Sequence, residues 1–276
     1  MAEIGKVNHM YVVKEVDFGI YLDGGDLGEI LMPKRYVPEG TQPEDMIDAF
    51  IYLDSEDRLV ATTEKPLAMV GEFALLEVVS VTQVGAFLNW GLPKDLFVPF
   101  REQRQPMEAG QKYLVYVYLD TDTKRIAASS KIEHYLDNIP VDYDVDEEVD
   151  LIIVNETDLG YNAIIDNSHL GILYKNEVFQ PLNPGDRVEG YIKKIRTDGK
   201  IDLCLQKAGY EKISSFADQI IASLERNNGF LALTDKSSPE DIYKAFKISK
   251  KNFKAAIGAL YKKRIIVLEE KGIRLL

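Results

Sequence analysis

At 276 residues, with 46% apolar and 28% charged side chains, the chain is long enough to bury several modest cores. Its 33 basic against 45 acidic residues leave a net charge of −12, which argues against indiscriminate adhesion to polyanions. The single cysteine, Cys204, excludes an internal disulfide framework and fits a reducing compartment. No stretch approaches the ~20 apolar residues of a membrane span, and the opening MAEIGKVNHMYVVKEV carries no extended apolar signal region. A cytoplasmic protein with no membrane partner is expected.

In chain order, one strand-rich phrase is written three times. Gly-Ile-Tyr-Leu-Asp at Gly19 to Asp23 is followed, after Pro33-Lys34, by YLDSEDRLVATTEK from Tyr52 to Lys65. Gly-Ala-Phe-Leu-Asn begins at Gly85, DLFVPFREQ runs from Asp95 to Gln103, and YLDTDTKRIAASSK from Tyr118 to Lys131. The third copy is looser: Gly160-Tyr-Asn-Ala-Ile-Ile, GILYKNE from Gly171 to Glu177, and IDLCLQK from Ile201 to Lys207. The glycines are 66 and 75 residues apart, so each copy is one small domain.

Strand signals dominate through residue 207. Tyr113 to Leu119 is aromatic, β-branched and too short for an ordinary helix. Val188 to Arg196 alternates before Thr197-Asp198-Gly199-Lys200, and Asp-Gly at that place predicts a type I′ hairpin. Short strands with glycine-containing turns suit a closed or partly open barrel. Between the second and third copies, VDYDVDEEVD from Val141 to Asp150 holds six acids and is read as a hinge or linker. It lacks the loop glycine of a calcium-binding hand, and no metal or cofactor is expected.

The last segment reads as helix, helix, helix, hairpin. Helix one starts near Ser214 or Ser215, buries Phe216, Ile220 and Leu224, and ends at Asn228-Gly229. Ser238-Pro239-Glu240-Asp241 opens helix two with a cap, an N1 proline and an acidic first turn. Ser249 caps helix three, whose apolar face is Phe253, Ala256, Ile257 and Leu260. Lys250, Lys251, Lys254 and Lys262 fall on another stripe, as on a basic recognition helix. Ile265 to Leu268, a Lys271-Gly272 turn and Ile273 to Leu276 supply the wing. The predicted fold is mainly β with a C-terminal α+β domain: three tandem OB-type barrels at 1–65, 66–135 and 136–209, then a winged helix at 210–276.

Charge divides along the same boundaries. The three barrels carry −8, −1 and −8, whereas residues 210–276 carry 13 basic and 8 acidic residues. Any polyanion is therefore drawn to the C-terminal end.

Gly85-Ala86-Phe87-Leu88, Phe97-Val98-Pro99-Phe100-Arg101-Glu102 and Arg125-Ile126-Ala127-Ala128-Ser129-Ser130-Lys131 resemble, in order, the strand phrases of the RNA-binding barrel called the S-one module. Three such barrels followed by a winged helix resemble the conserved virulence factor B family of bacterial RNA-binding proteins, over essentially the full chain. Where the module usually carries a histidine, this chain has Pro33, Pro99 and Tyr174; at its first aromatic position it has Tyr21, Phe87 and Asn162, with Tyr161 one residue earlier. The resemblance therefore carries RNA-contacting roles to the second and third barrels more readily than to the first.

Single-stranded RNA is held by aromatic faces under splayed bases and by cations along the phosphates. The RNA-binding candidates are thus Phe87, Trp90, Tyr161, Tyr174, Lys175, Lys193, Lys194 and Arg196, joined by Lys250, Lys251, Lys254 and Lys262. Each of these rings could equally be core, and Phe97 and Phe100 are read as barrel core or a module interface. Lys193 and Lys194, as strand neighbours, are expected on opposite faces. His9, His134 and His169 are isolated, and no nucleophile elbow, phosphate loop or metal-ligand spacing occurs; no enzyme is expected. The leading expectation is a cytoplasmic RNA-binding regulator of gene expression. The alternatives are a transcription regulator gripping duplex DNA through the winged helix, or a protein-binding adaptor.

Overall fold

A Cβ built on Gly19, Gly85 or Gly160 would stand 2.1, 2.3 or 2.0 Å from the carbonyl oxygen of Met32, Val98 or Leu173. Their φ angles are 155°, 154° and 155°, a conformation L side chains rarely adopt. Only glycine fits where the second strand of each barrel passes the third, and this close approach explains the repeat seen in the sequence.

The computed structural model describes residues 2–178, 180–206 and 210–276. The first barrel comprises β1 (Val7–Val16), β2 (Gly19–Asp23), β3 (Glu29–Pro33), β4 (Met46–Leu53) and β5 (Leu59–Thr62). The second comprises β6 (Phe73–Val81), β7 (Gly85–Asn89), β8 (Leu96–Pro99), β9 (Lys112–Leu119) and β10 (Ile126–Ser129). The third comprises β11 (Glu148–Glu156), β12 (Gly160–Ile165), β13 (His169–Tyr174), β14 (Arg187–Ile195) and β15 (Ile201–Cys204). Lys207, the end of the closing phrase read from the sequence, lies outside the described residues. All three close in one order, β1-β2-β3-β5-β4 and its equivalents. In each, the third and fifth strands run parallel and the other neighbours antiparallel.

The first strand of every barrel is broken by a bulge, at Val13, Val79 and Val154, six positions before the glycine in each case. A bulge bends a strand and sharpens its twist, so one long strand can pair with two neighbours around a small barrel. Alternating residues such as Met10 and Val12, or Leu76 and Val78, fill the interiors.

In the C-terminal domain α1 (Tyr210–Arg226) begins before Ser214 and Ser215, which lie inside it rather than at its start. Asn228 and Gly229 take the left-handed conformation, and the Gly229 amide donates to the Leu224 carbonyl at 2.7 Å. After β16 (Phe230–Leu231), which the sequence reading missed, come α2 (Pro239–Phe246) and α3 (Lys250–Lys262). The hydroxyls of Ser238 and Ser249 accept from the amides of Asp241 and Asn252 at 3.1 and 3.2 Å. The wing is β17 (Ile266–Glu269) and β18 (Gly272–Leu275), joined in a three-stranded sheet ordered β16-β18-β17. Phe253, Ala256, Ile257 and Leu260 are buried, as predicted, with Ile220, Leu224, Ile242 and Ile273.

Residues 1–138 and 139–276 form two separate units, with two barrels in the first and the third barrel plus winged helix in the second. Within the second, His169 anchors the acidic linker. Its buried ring meets the Tyr143 hydroxyl through Nδ1 at 3.0 Å and the Ile139 carbonyl through Nε2 at 2.9 Å. Val141 and Tyr143 pack on the third barrel's core, so this end of the linker belongs to the barrel.

Candidate nucleic-acid interface

On the third barrel, β13 ends at Tyr174 opposite Gly160. The half-buried ring has the Lys193 ammonium 5.8 Å and the Arg196 guanidinium 5.9 Å from its centroid. Asp202, 9% exposed, accepts from the Tyr174 hydroxyl at 3.2 Å and from Arg196 Nε and Nη2 at 2.9 and 2.7 Å. Lys193 pairs with Glu177 and Lys175 with Glu156, each at 2.5 Å. The hydrogen bond and charge of Glu156 hold the Lys175 ammonium above the ordinary lysine range. Lys194 is exposed and has no ion-pair partner among the described residues. Tyr161 is half-buried and leans on the barrel's core.

Two sequence expectations are corrected here. Lys193 and Lys194 do not split between faces: the β14–β15 register slips between Ile192 and Lys194, and both side chains are exposed. The bulge suspends the alternation on which the expectation rested. The following hairpin is not type I′, because Arg196 pairs with Lys200 across three residues and only Gly199 has positive φ. That is a turn closed by a left-handed glycine.

On α3, Lys251 and Lys262 are exposed, Lys254 lies 3.7 Å from Asp235, and half-buried Lys250 donates to the Lys236 carbonyl at 3.4 Å. Lys263, Arg264 and Lys271 add exposed cations at the helix end and wing tip. The α3 N-terminus touches the barrel's exit, where Asn252 Nδ2 donates to Gln206 Oε1 at 3.0 Å.

On the second barrel, Phe87 is half-exposed and pairs across β7 and β8 with Phe97, their centroids 5.2 Å apart at 37°. The expectation that Phe97 and Phe100 lie in barrel core or at a module interface is corrected as to core: Phe97 is half-exposed and Phe100 is 51% exposed. Trp90 is corrected in the opposite sense. At 3% exposure its ring meets Phe50 of the first barrel edge-on at 5.8 Å, and its N–H donates to the Lys94 carbonyl at 2.6 Å. So little of it is exposed that it offers no stacking platform to a base. Beside Phe97 stand Arg101 and Tyr118, which the sequence reading missed; burial pushes the Tyr118 hydroxyl up to about 12. Phe97 sat in the matched phrase, so its place opposite Phe87 was the signal that could have found it.

Among the described residues, no helix is long and apolar enough to cross a membrane, and no group of three or more His, Cys, Asp or Glu could hold a metal ion.

Residues 4–64 and 70–130 each match the S1 domain family, and residues 218–275 match the CvfB-like winged helix domain family. The chain is 28% identical to YitL of Bacillus subtilis over 257 residues, covering 90% of this chain and 85% of the relative. It is 26% identical to a conserved virulence factor B of Staphylococcus epidermidis over 233 residues, covering 82% and 78%. A solved multidomain protein with nucleic acid binding domains from Streptococcus pneumoniae aligns over 99% of this chain and 98% of its own, at 23% identity and a TM-score of 0.41.

Proposed function

Because the chain belongs to the conserved virulence factor B family and carries nucleic-acid-binding domain types, we propose that it is a cytoplasmic RNA-binding protein that regulates gene expression at the RNA level, and not an enzyme. One observation carries this reading: on the third barrel, cations flank the Tyr174 ring while the neighbouring domain supplies a surplus of free lysines. A splayed base stacks on such a ring, and phosphates replace the carboxylates that now hold Lys175 and Lys193. The exchange is cheap, since exposed ion pairs are worth about 0–1 kcal/mol. Most net attraction then comes from the winged helix, where Lys251 and Lys262 have no acidic partner among the described residues.

A second reading rests on α3 itself. Its serine cap, buried apolar face and exposed lysines also suit entry into the major groove of duplex DNA. Affinities for single-stranded RNA and duplex DNA of equal length, at one salt concentration, discriminate the two. Tighter binding of the RNA is expected; preference for the duplex would replace the RNA assignment with the transcription-regulator reading.

A further inference from the structure

Within the first unit, a groove of about 800 Å³ lies between the two barrels. One wall is the Phe87–Phe97 pair; the other is the β4–β5 hairpin of the first barrel, which presents Ser55 and Asp57. The hairpin is fastened across the junction. Lys94 Nζ donates to the carbonyls of Leu53 and Asp54 at 3.1 and 2.6 Å, and Arg125 pairs with Asp57. Buried Trp90 forms the floor.

The groove is aromatic but electrically balanced. Its cations, Lys94, Arg101 and Arg125, face Asp57, Asp95 and Asp120. Arg125 and Lys94 are engaged by Asp57, and Arg101 lies 3.6 Å from Asp120. Burial pulls Lys94 below the ordinary lysine range. A phosphate backbone needs surplus positive charge, which is missing here. Half-buried Asp95 has no hydrogen-bond or ion-pair partner among the described residues. An ionised carboxylate only accepts, so a ligand paired with Asp95 must bring donors, and one stacked on the neighbouring rings must be flat.

We infer that this groove is a base-selective site for an unpaired nucleobase bearing an exocyclic amine, stacked on Phe87 and Phe97 and read at its edge by Asp95, with the first barrel's hairpin as the far wall. Guanine fits best, because its adjacent N1–H and N2–H groups meet both oxygens of one carboxylate; uracil has no amine. The inference rests on the nucleic-acid reading for its ligand class, but uses none of the residues assigned to RNA in the second unit. The first barrel, acidic and departing from the module at Pro33, acquires a role as part of its neighbour's site.

Trp90 is the chain's only tryptophan, so its fluorescence reports occupancy. The full chain is titrated with GMP, AMP, CMP and UMP, and with guanosine-containing or uridine-only single-stranded RNA, at low and high salt. The expected result is saturable quenching that favours GMP over UMP by about fivefold or more and changes little with salt. Phe97→Leu should weaken it about tenfold, and Asp95→Asn should abolish the guanine preference while UMP binding persists, with unchanged circular dichroism. Quenching by guanosine RNA alone would identify an RNA segment as the source of the base; quenching by GMP as well would show that a free nucleotide suffices. No quenching by any of the six ligands, or an unchanged preference in Asp95→Asn, overturns the inference. The Lys250, Lys251, Lys254 and Lys262→Gln variant should keep the guanine preference while losing salt-dependent RNA binding, so each reading can fail without the other.

Discussion

Arg196 and Asp202 are joined across the β14–β15 hairpin by two hydrogen bonds to one carboxylate oxygen, at 2.9 and 2.7 Å. If Arg196 meets RNA phosphates as proposed, the guanidinium must loosen this carboxylate to take one. Asp202→Asn keeps an acceptor for Arg196 and Tyr174 but removes the charge. RNA affinity in a filter-binding or anisotropy assay should rise about fivefold, on the order of 1 kcal/mol. Unchanged or weaker binding by the folded variant would remove Arg196 from the interface.

The two tyrosines of the third barrel should behave differently. Tyr174→Ala should cost about 1–3 kcal/mol of RNA affinity with little change in melting temperature. Tyr161 leans on the barrel's core, so Tyr161→Ala should lower the melting temperature as well. A sharp fall in melting temperature for Tyr174→Ala would make that ring structural.

His169→Ala should destabilise the second unit. It removes the hydrogen bonds that His169 makes to the Tyr143 hydroxyl and the Ile139 carbonyl, and a typical hydrogen bond contributes about 0.5–1.5 kcal/mol. Denaturant unfolding measures the loss; a midpoint equal to wild type would show that the linker is not anchored there.

Burial pushes the Cys204 thiol above its ordinary range. The folded chain then holds less thiolate near neutral pH than an exposed cysteine would, and its thiolate fraction rises only at higher pH. Alkylation by iodoacetamide should be slow in native protein, accelerate as pH rises, and become fast in denaturant. Rapid labelling of native protein at neutral pH would contradict this.

Local patterns made the winged helix readable before the structure: Ser238 and Ser249 announce their caps, and the spacing of Phe253, Ala256, Ile257 and Leu260 gives the buried face of α3. The barrel glycines were equally legible, because their steric demand recurs in each copy. What stayed hidden depends on contacts distant in sequence or on register. Trp90 is core because Phe50, in the preceding barrel, covers it. Phe97 is half-exposed because of the face it occupies on β8, which a four-residue strand is too short to announce. The bulge that puts Lys193 and Lys194 together arises from pairing with β15, and an Asp-Gly pair does not reveal how many residues its loop will span.

The central claim is that the winged helix supplies the phosphate-binding charge for RNA. Replacing Lys250, Lys251, Lys254 and Lys262 by glutamine spares the buried face of α3, so the fold should survive. Each phosphate contact on a single strand contributes a slope of about −0.7 to the dependence of log affinity on log salt. Measured on single-stranded RNAs of different sequence, the variant should bind all of them more weakly, with a slope shallower by about two to three. An unchanged slope in folded protein, or a loss confined to duplex DNA, would contradict the account.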